Sequence, residues 1–249
     1  MNELNNRNSA VGSDYELNGR SWNREWSTSE AFPALMRKVY VWMTMALAIS
    51  GFAAYGVATT PGILQTIYEN PAVLWGLIIG ELALVFALSA AINRLSLTTA
   101  TLMFVVYALF NGVTLSSVFL VYTMSSIVSV FLITAATFGV MAFVGYTTKT
   151  DLTSLGKIIL MALIGLVIAT LVNAFLVKSN SFDLILSYVG VLIFVGLTAY
   201  DSQKIKEMFM QAPDAGENAQ KQALLGALSL YLDFVNLFLY LLRIFGRRD

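Results

Sequence analysis

From about Val39 onward the chain is a succession of apolar stretches, each near the length of about 20 residues that a helix needs to cross a bilayer. Seven fall at 38–58, 72–92, 98–121, 126–147, 157–177, 183–203 and 222–243. The joints carry breakers or charges: Pro61-Gly62, Asn93-Arg94, Ser125-Ser126, Lys149 to Asp151, and Ser179-Asn180-Ser181. The longest, 203–221, contains the turn signature Pro213-Asp214-Ala215-Gly216. The pattern predicts an all-α, polytopic membrane protein with seven transmembrane helices in residues 34–249. Residues 1–33 are rich in Asn, Ser and Glu, lack apolar periodicity, and read as a disordered polar tail rather than a signal peptide.

The seventh stretch departs from uniform apolarity. Gln222, Gly226, Ser229, Asp233, Asn236, Tyr240 and Arg243 follow one another at spacings of four and three, which on a helix is one face. A polar stripe cannot face lipid, where its groups find no hydrogen-bond partners. This helix is therefore expected to line the interior of the bundle. Asp233 lies near its middle, where an acid costs about 2.5–3.5 kcal/mol on insertion scales and needs a partner or a purpose.

Composition narrows the chemistry. The chain is 57% hydrophobic and 12% charged, with 15 basic and 15 acidic residues, a balance that argues against a nucleic-acid partner. It has no Cys, which excludes disulfides and thiol catalysis, and no His, which removes the usual zinc ligand and neutral-pH sensor. Any metal must be held by oxygen, and a pH response near neutrality must come from carboxylates. With the N-terminus cytoplasmic, Arg7, Arg20, Arg24, Arg37, Lys38, Arg94, Lys149, Lys157, Lys204, Lys206 and Lys221 fall inside, against Lys178, Arg243, Arg247 and Arg248 outside. That bias supports the orientation. A last segment that re-enters instead of crossing would bring the terminal arginines inside, and both forms fit the pattern.

Three acids fall within the spans: Glu81, Asp201 and Asp233. Asp201 is at the cytoplasmic end of span six, where it reads either as an interfacial charge or as a functional group. Glu81 reads as a functional acid or as a buried one bonded to Asn111 or Asn173. Arg94 is placed to snorkel to the headgroups or to turn inward and neutralise an acid. Asn111, Asn173 and Asn236 are candidate interhelical glue. In span two, Gly76, Gly80, Ala83, Ala87 and Ala90 form a small-residue stripe expected to pack closely against another helix.

Several segments resemble the Bax inhibitor-1 family (the transmembrane Bax-inhibitor-motif proteins), bacterial branch. They are Tyr200-Asp201-Ser202-Gln203-Lys204-Ile205-Lys206, Leu228 to Phe238 around Asp233, Asn111 to Ser116, and Gly145 to Lys149. The similarity runs from about Met36 to Phe245. It implies seven helices with the last at the centre of the other six, and an inner-membrane protein. It also implies a calcium leak whose pH sensor and gate is the carboxyl pair Asp201 and Asp233, with the span-two acid at Glu81 and a closed-state counter-charge that maps loosely onto Arg94. Ser229, Asn236 and Tyr240 then join Glu81 as candidate pore or ion contacts, Asp201 and Asp233 as candidate Ca²⁺ ligands, and no resident cofactor is expected. Two neighbouring carboxyls share a proton and titrate in coupled steps, and when both are ionised they attract a cation such as Ca²⁺.

Two other classes compete. Paired aspartates in adjoining spans also resemble intramembrane aspartyl proteases, but Leu230-Tyr231-Leu232-Asp233 lacks the two glycines of that motif, so enzyme activity is not expected. A non-conducting regulator that binds another membrane protein, such as a quality-control protease, is the alternative function.

Overall fold

Lipid offers backbone groups no hydrogen bonds, so each apolar stretch must satisfy its own, and helices are the outcome. The computed structural model describes residues 31–212 and 214–247. In chain order the helices are α1 Ala31–Ala58, α2 Pro61–Glu69, α3 Pro71–Ala91, α4 Leu97–Leu115, α5 Val118–Val121, α6 Met124–Thr147, α7 Thr153–Val172, α8 Asn180–Met210 and α9 Glu217–Phe245. With α5 continuing α4, seven are long and apolar enough to span a membrane. Their starts follow from local chemistry. Ser96, Thr123 and Ser179 accept the amides of Thr99, Ser126 and Phe182 at α4, α6 and α8. Pro61 and Pro71 occupy first turns, where no N–H is needed.

α1 begins at Ala31, earlier than the boundary at 34, because Pro33 is tolerated in a first turn. The rest of the polar tail, residues 1–30, lies outside the described residues. The Pro61-Gly62 joint holds a helix of its own, α2. The expected long loop shortens because α8 runs on to Met210 and α9 starts at Glu217.

α9 is the centre of the bundle: 67% of its span is buried, against 44% for α8 and less for the others. It packs on α4, α6 and α8. It also crosses instead of re-entering. Its first turn meets α1 and α4, through Lys38 Nζ to Gln220 (2.9 Å) and the Leu97 N–H to Glu217 (3.2 Å). Its last turn meets the start of α6, where the Arg247 N–H donates to Ser126 at 3.0 Å. Its 29 residues extend roughly 43 Å, more than the hydrocarbon core of about 30 Å.

The small-residue stripe of α3 does not pack as expected. Gly76, Ala83, Ala87 and Ala90 are exposed, and no neighbouring atom stands within 4 Å of a Cβ built on Gly76. Glu81 explains this. At 100° per residue the stripe lies on the opposite side of the helix from Glu81, and Glu81 turns towards α4, where it finds Thr114 and Asn111. Satisfying an acid in lipid outweighs close packing of small residues.

Candidate functional site

Two close approaches fix how α8 and α9 align. A Cβ on Gly190 would meet the Tyr240 ring, and one on Gly226 would meet the Ile205 side chain. Continued along antiparallel helices, this register sets Asp201 level with Ser229 and Asp233 level with Leu197. The two acids are therefore one helical turn apart, roughly 6 Å along the axis. Asp201 is deeper than its basic flank suggests because α8 continues for nine residues past it, to Met210.

Both acids line one cavity of about 500 Å³ between α7, α8 and α9. Ser229, Asn236 and Tyr240 line it too, so the middle of the α9 polar stripe faces this space. Gln222, Gly226 and Ser229 continue the stripe into an adjoining cavity of about 220 Å³ that also touches Asp201. Asp233 is 4% exposed, and its Oδ2 has no hydrogen-bond partner among the described residues. Asp201 is the charge that acts on Asp233, and Lys204 supplies a positive charge that acts on Asp201. Asn236 donates to the Leu232 carbonyl of its own helix at 2.8 Å, so it is not interhelical glue.

Phe194 and Tyr240 stand at the far end of the cavity. Tyr240 stacks on Phe194 with centroids 5.8 Å apart. Arg243 stands over the Tyr240 ring at 5.6 Å and pairs with Asp183 at 3.3 Å.

Glu81 and Arg94 do not join this cluster. Glu81 accepts from the Thr114 hydroxyl and from Asn111 Nδ2 (3.4 Å). Asn111 Oδ1 accepts from the Tyr231 hydroxyl at 2.8 Å, and Tyr231 lies 2.6 Å from Ser50 Oγ. Tyr231 and Asp233 are two positions apart, about 200° around α9. The Glu81 network thus grips the flank of the central helix opposite the aspartate cavity. Asn173 has a different task, exchanging hydrogen bonds with the Ser179 backbone at the end of α7. Arg94 is exposed and forms no ion pair among the described residues. The cations that line the cavity are Lys157 and Lys204 instead.

Among the described residues no three acidic side chains cluster as a metal site. A Ca²⁺ ion at Asp201 and Asp233 would find two carboxylates and would draw further oxygens from Ser229, Asn236 and water. Outside the spans, Asp151 takes hydrogen bonds from Thr153, which hold its carboxyl below the usual range. It stays ionised near neutrality and adds nothing to a pH response there.

The family described as "Inhibitor of apoptosis-promoting Bax1" matches residues 33–249. The chain belongs to the Bax inhibitor-1 family. Among family relatives, the Escherichia coli inner membrane protein YbhL is 50% identical over 214 residues, covering 86% of this chain and 91% of that one. A Borreliella burgdorferi protein is 45% identical over 213 residues, covering 86% and 91%. The Rickettsia prowazekii protein RP147 is 39% identical over 237 residues, covering 94% and 98%. With seven spanning helices and this kinship, the chain is a multi-pass inner-membrane protein.

Proposed function

We propose that the protein is a pH-sensitive leak channel for calcium or another cation, gated by a proton shared between Asp201 and Asp233. The N-terminus and residues 204–221 are cytoplasmic in this reading. The observation that carries it is Asp233, an acid buried in the central helix whose Oδ2 has no hydrogen-bond partner among the described residues, facing a cavity that holds a second acid. A carboxyl kept at such cost deep in a bundle points to a proton or ion pathway. When the pair holds a proton, its attraction for a cation is weak. When both acids ionise, they repel each other and a cation relieves the repulsion. Two carboxylates with hydroxyl and amide oxygens suit a passing ion better than a resident one. Conduction requires the Tyr240–Phe194 stack and the Arg243–Asp183 pair to part. Glu81 acts on the path through Tyr231 and the position of α9, not from the cavity wall.

The test is calcium entry into proteoliposomes of purified protein across a pH series. Flux that rises as the pair deprotonates supports the reading, and liposomes as tight as protein-free ones at every pH refute it.

The second reading is a non-conducting regulator of another membrane protein, such as a quality-control protease. The outward-facing small stripe on α3 favours it, since such a face suits a partner helix. Removing residues 1–33 would then abolish regulation, whereas a leak would survive.

A further inference from the structure

The aspartate cavity is not fenced off from the bilayer. α3 packs on α2 and α4, and α7 packs on α8, so the ring of outer helices is thin where α3 and α7 would meet. Leu160 and Val167 of α7 line the cavity yet are 54% and 51% exposed, which marks a sideways opening towards the acyl chains. Ser89 of α3 lines the adjoining space with Asp201 and Lys204, on the other side of the gap.

The opening is amphipathic along its length. Lys157 and Lys204 stand at the end nearest the α6–α7 and α8–α9 joints. Both are exposed, and neither forms a salt bridge among the described residues. Lys204 rests over the Tyr200 ring at 5.8 Å. From Lys157, the apolar side chains Leu160, Leu163 and Val167 descend α7 towards Phe194. The ten helical rises from Lys157 to Val167 cover roughly 15 Å, half the hydrocarbon thickness.

We propose that this lateral opening binds one anionic phospholipid of the leaflet facing Lys157 and Lys204, with its phosphate between the two lysines and an acyl chain along Leu160, Leu163 and Val167. Basic pockets between helices suit anionic headgroups, and long lysine side chains reach to the headgroup level. The polar end and the apolar flank are contiguous, which selects an amphiphile over a soluble anion. The seated chain lies in front of Asp233 and Asn236, so the lipid controls access to the cavity from the bilayer. The inference concerns occupancy and does not need the protein to conduct.

Native mass spectrometry of the full-length protein, released from equal mixtures of phosphatidylglycerol and phosphatidylcholine, tests it. The parent is expected to retain one phosphatidylglycerol in preference. The double variant Lys157→Gln/Lys204→Gln should lose that preference by roughly thirtyfold, the effect of two lysines on an anionic headgroup. Leu163→Trp, which fills the groove and leaves both lysines in place, should lose retention of either lipid. Arg37→Gln/Lys149→Gln, at two exposed basic positions outside the cavity, should bind like the parent. Equal retention of the two lipids by the parent, parent-like retention by the lysine or Leu163 variant, or an equal loss in the Arg37/Lys149 variant would each overturn the proposal. Flux is not read in this experiment, so its outcome is separate from that of the channel assay.

Discussion

Gly145 is a point of especially close contact between α6 and α8. A Cβ there would strike the Ala199 carbonyl oxygen and stand 2.7 and 2.8 Å from the Ala199 carbonyl carbon and Cα. Backbone cannot rotate away as a side chain can. Restoring ordinary carbon contact of about 3.5–4.0 Å requires the helices to separate by roughly 1 Å. Overpacking of this kind costs about 1–3 kcal/mol, and Asp201 lies only two residues beyond the contact. Gly145→Ala should therefore destabilise the bundle by that amount and also disturb the aspartate pair. Gly139, six residues earlier on α6, has no neighbour within 4 Å of a Cβ. Gly139→Ala should be neutral or slightly stabilising, because Ala favours a helix over Gly by about 1 kcal/mol in water. Reversible unfolding in mixed detergent–SDS micelles measures both. Equal stability of the two variants would refute the close approach of Gly145 to the Ala199 backbone.

Three further outcomes follow from the other side of the central helix and from the topology. Tyr231→Phe leaves Asn111 Oδ1 without its donor in a buried network, so it should cost about 1–3 kcal/mol in the same assay; a loss below about 0.5 kcal/mol, the scale of surface changes, would mean the hydroxyl is not held there. Glu81→Gln can keep the Thr114 and Asn111 contacts and should fold, Glu81→Leu should still insert, and both should change flux; parent-like flux in both leaves Glu81 a purely structural acid. In this Cys-free chain, Gly216→Cys should react with a membrane-impermeant thiol reagent only from the cytoplasmic side, and Ser181→Cys only from the outside; labelling of position 216 in intact cells reverses the orientation.

The seven spans and the place of α9 inside the bundle were legible because they rest on length and period, whereas its position at the centre of the other six was implied by the family resemblance. The stripe from Gln222 to Arg243 can be polar only if it is hidden from lipid, and the structure turns its middle into the cavity. The orientation of α3 was not legible. Nearly every face of that helix is apolar, so hydropathy cannot choose a side, and the choice is made by Glu81 and its partner Thr114, distant in sequence. The depth of Asp201 was hidden for a related reason. Lys204 and Lys206 look like the end of a span, but α8 continues past them to Met210, with Ile205 and Phe209 buried in the core. α2 was missed because nine residues carry too little periodicity to separate a short helix from a turn. Lys157 could not be connected to the site from sequence, since only the packing of α7 on α8 brings it to the cavity.

In the proposed mechanism Asp201 and Asp233 act as one titrating unit, and a double-variant cycle of pH-dependent calcium flux reads that coupling. Parent protein, Asp201→Asn, Asp233→Asn and the double variant are reconstituted at equal density in liposomes, and initial calcium entry is followed at closely spaced pH values. Groups that form one unit are non-additive. Each single variant should therefore flatten the pH profile, and the double variant should add little to either. Single variants that keep the parent's profile, or effects that sum in the double variant, would contradict the account.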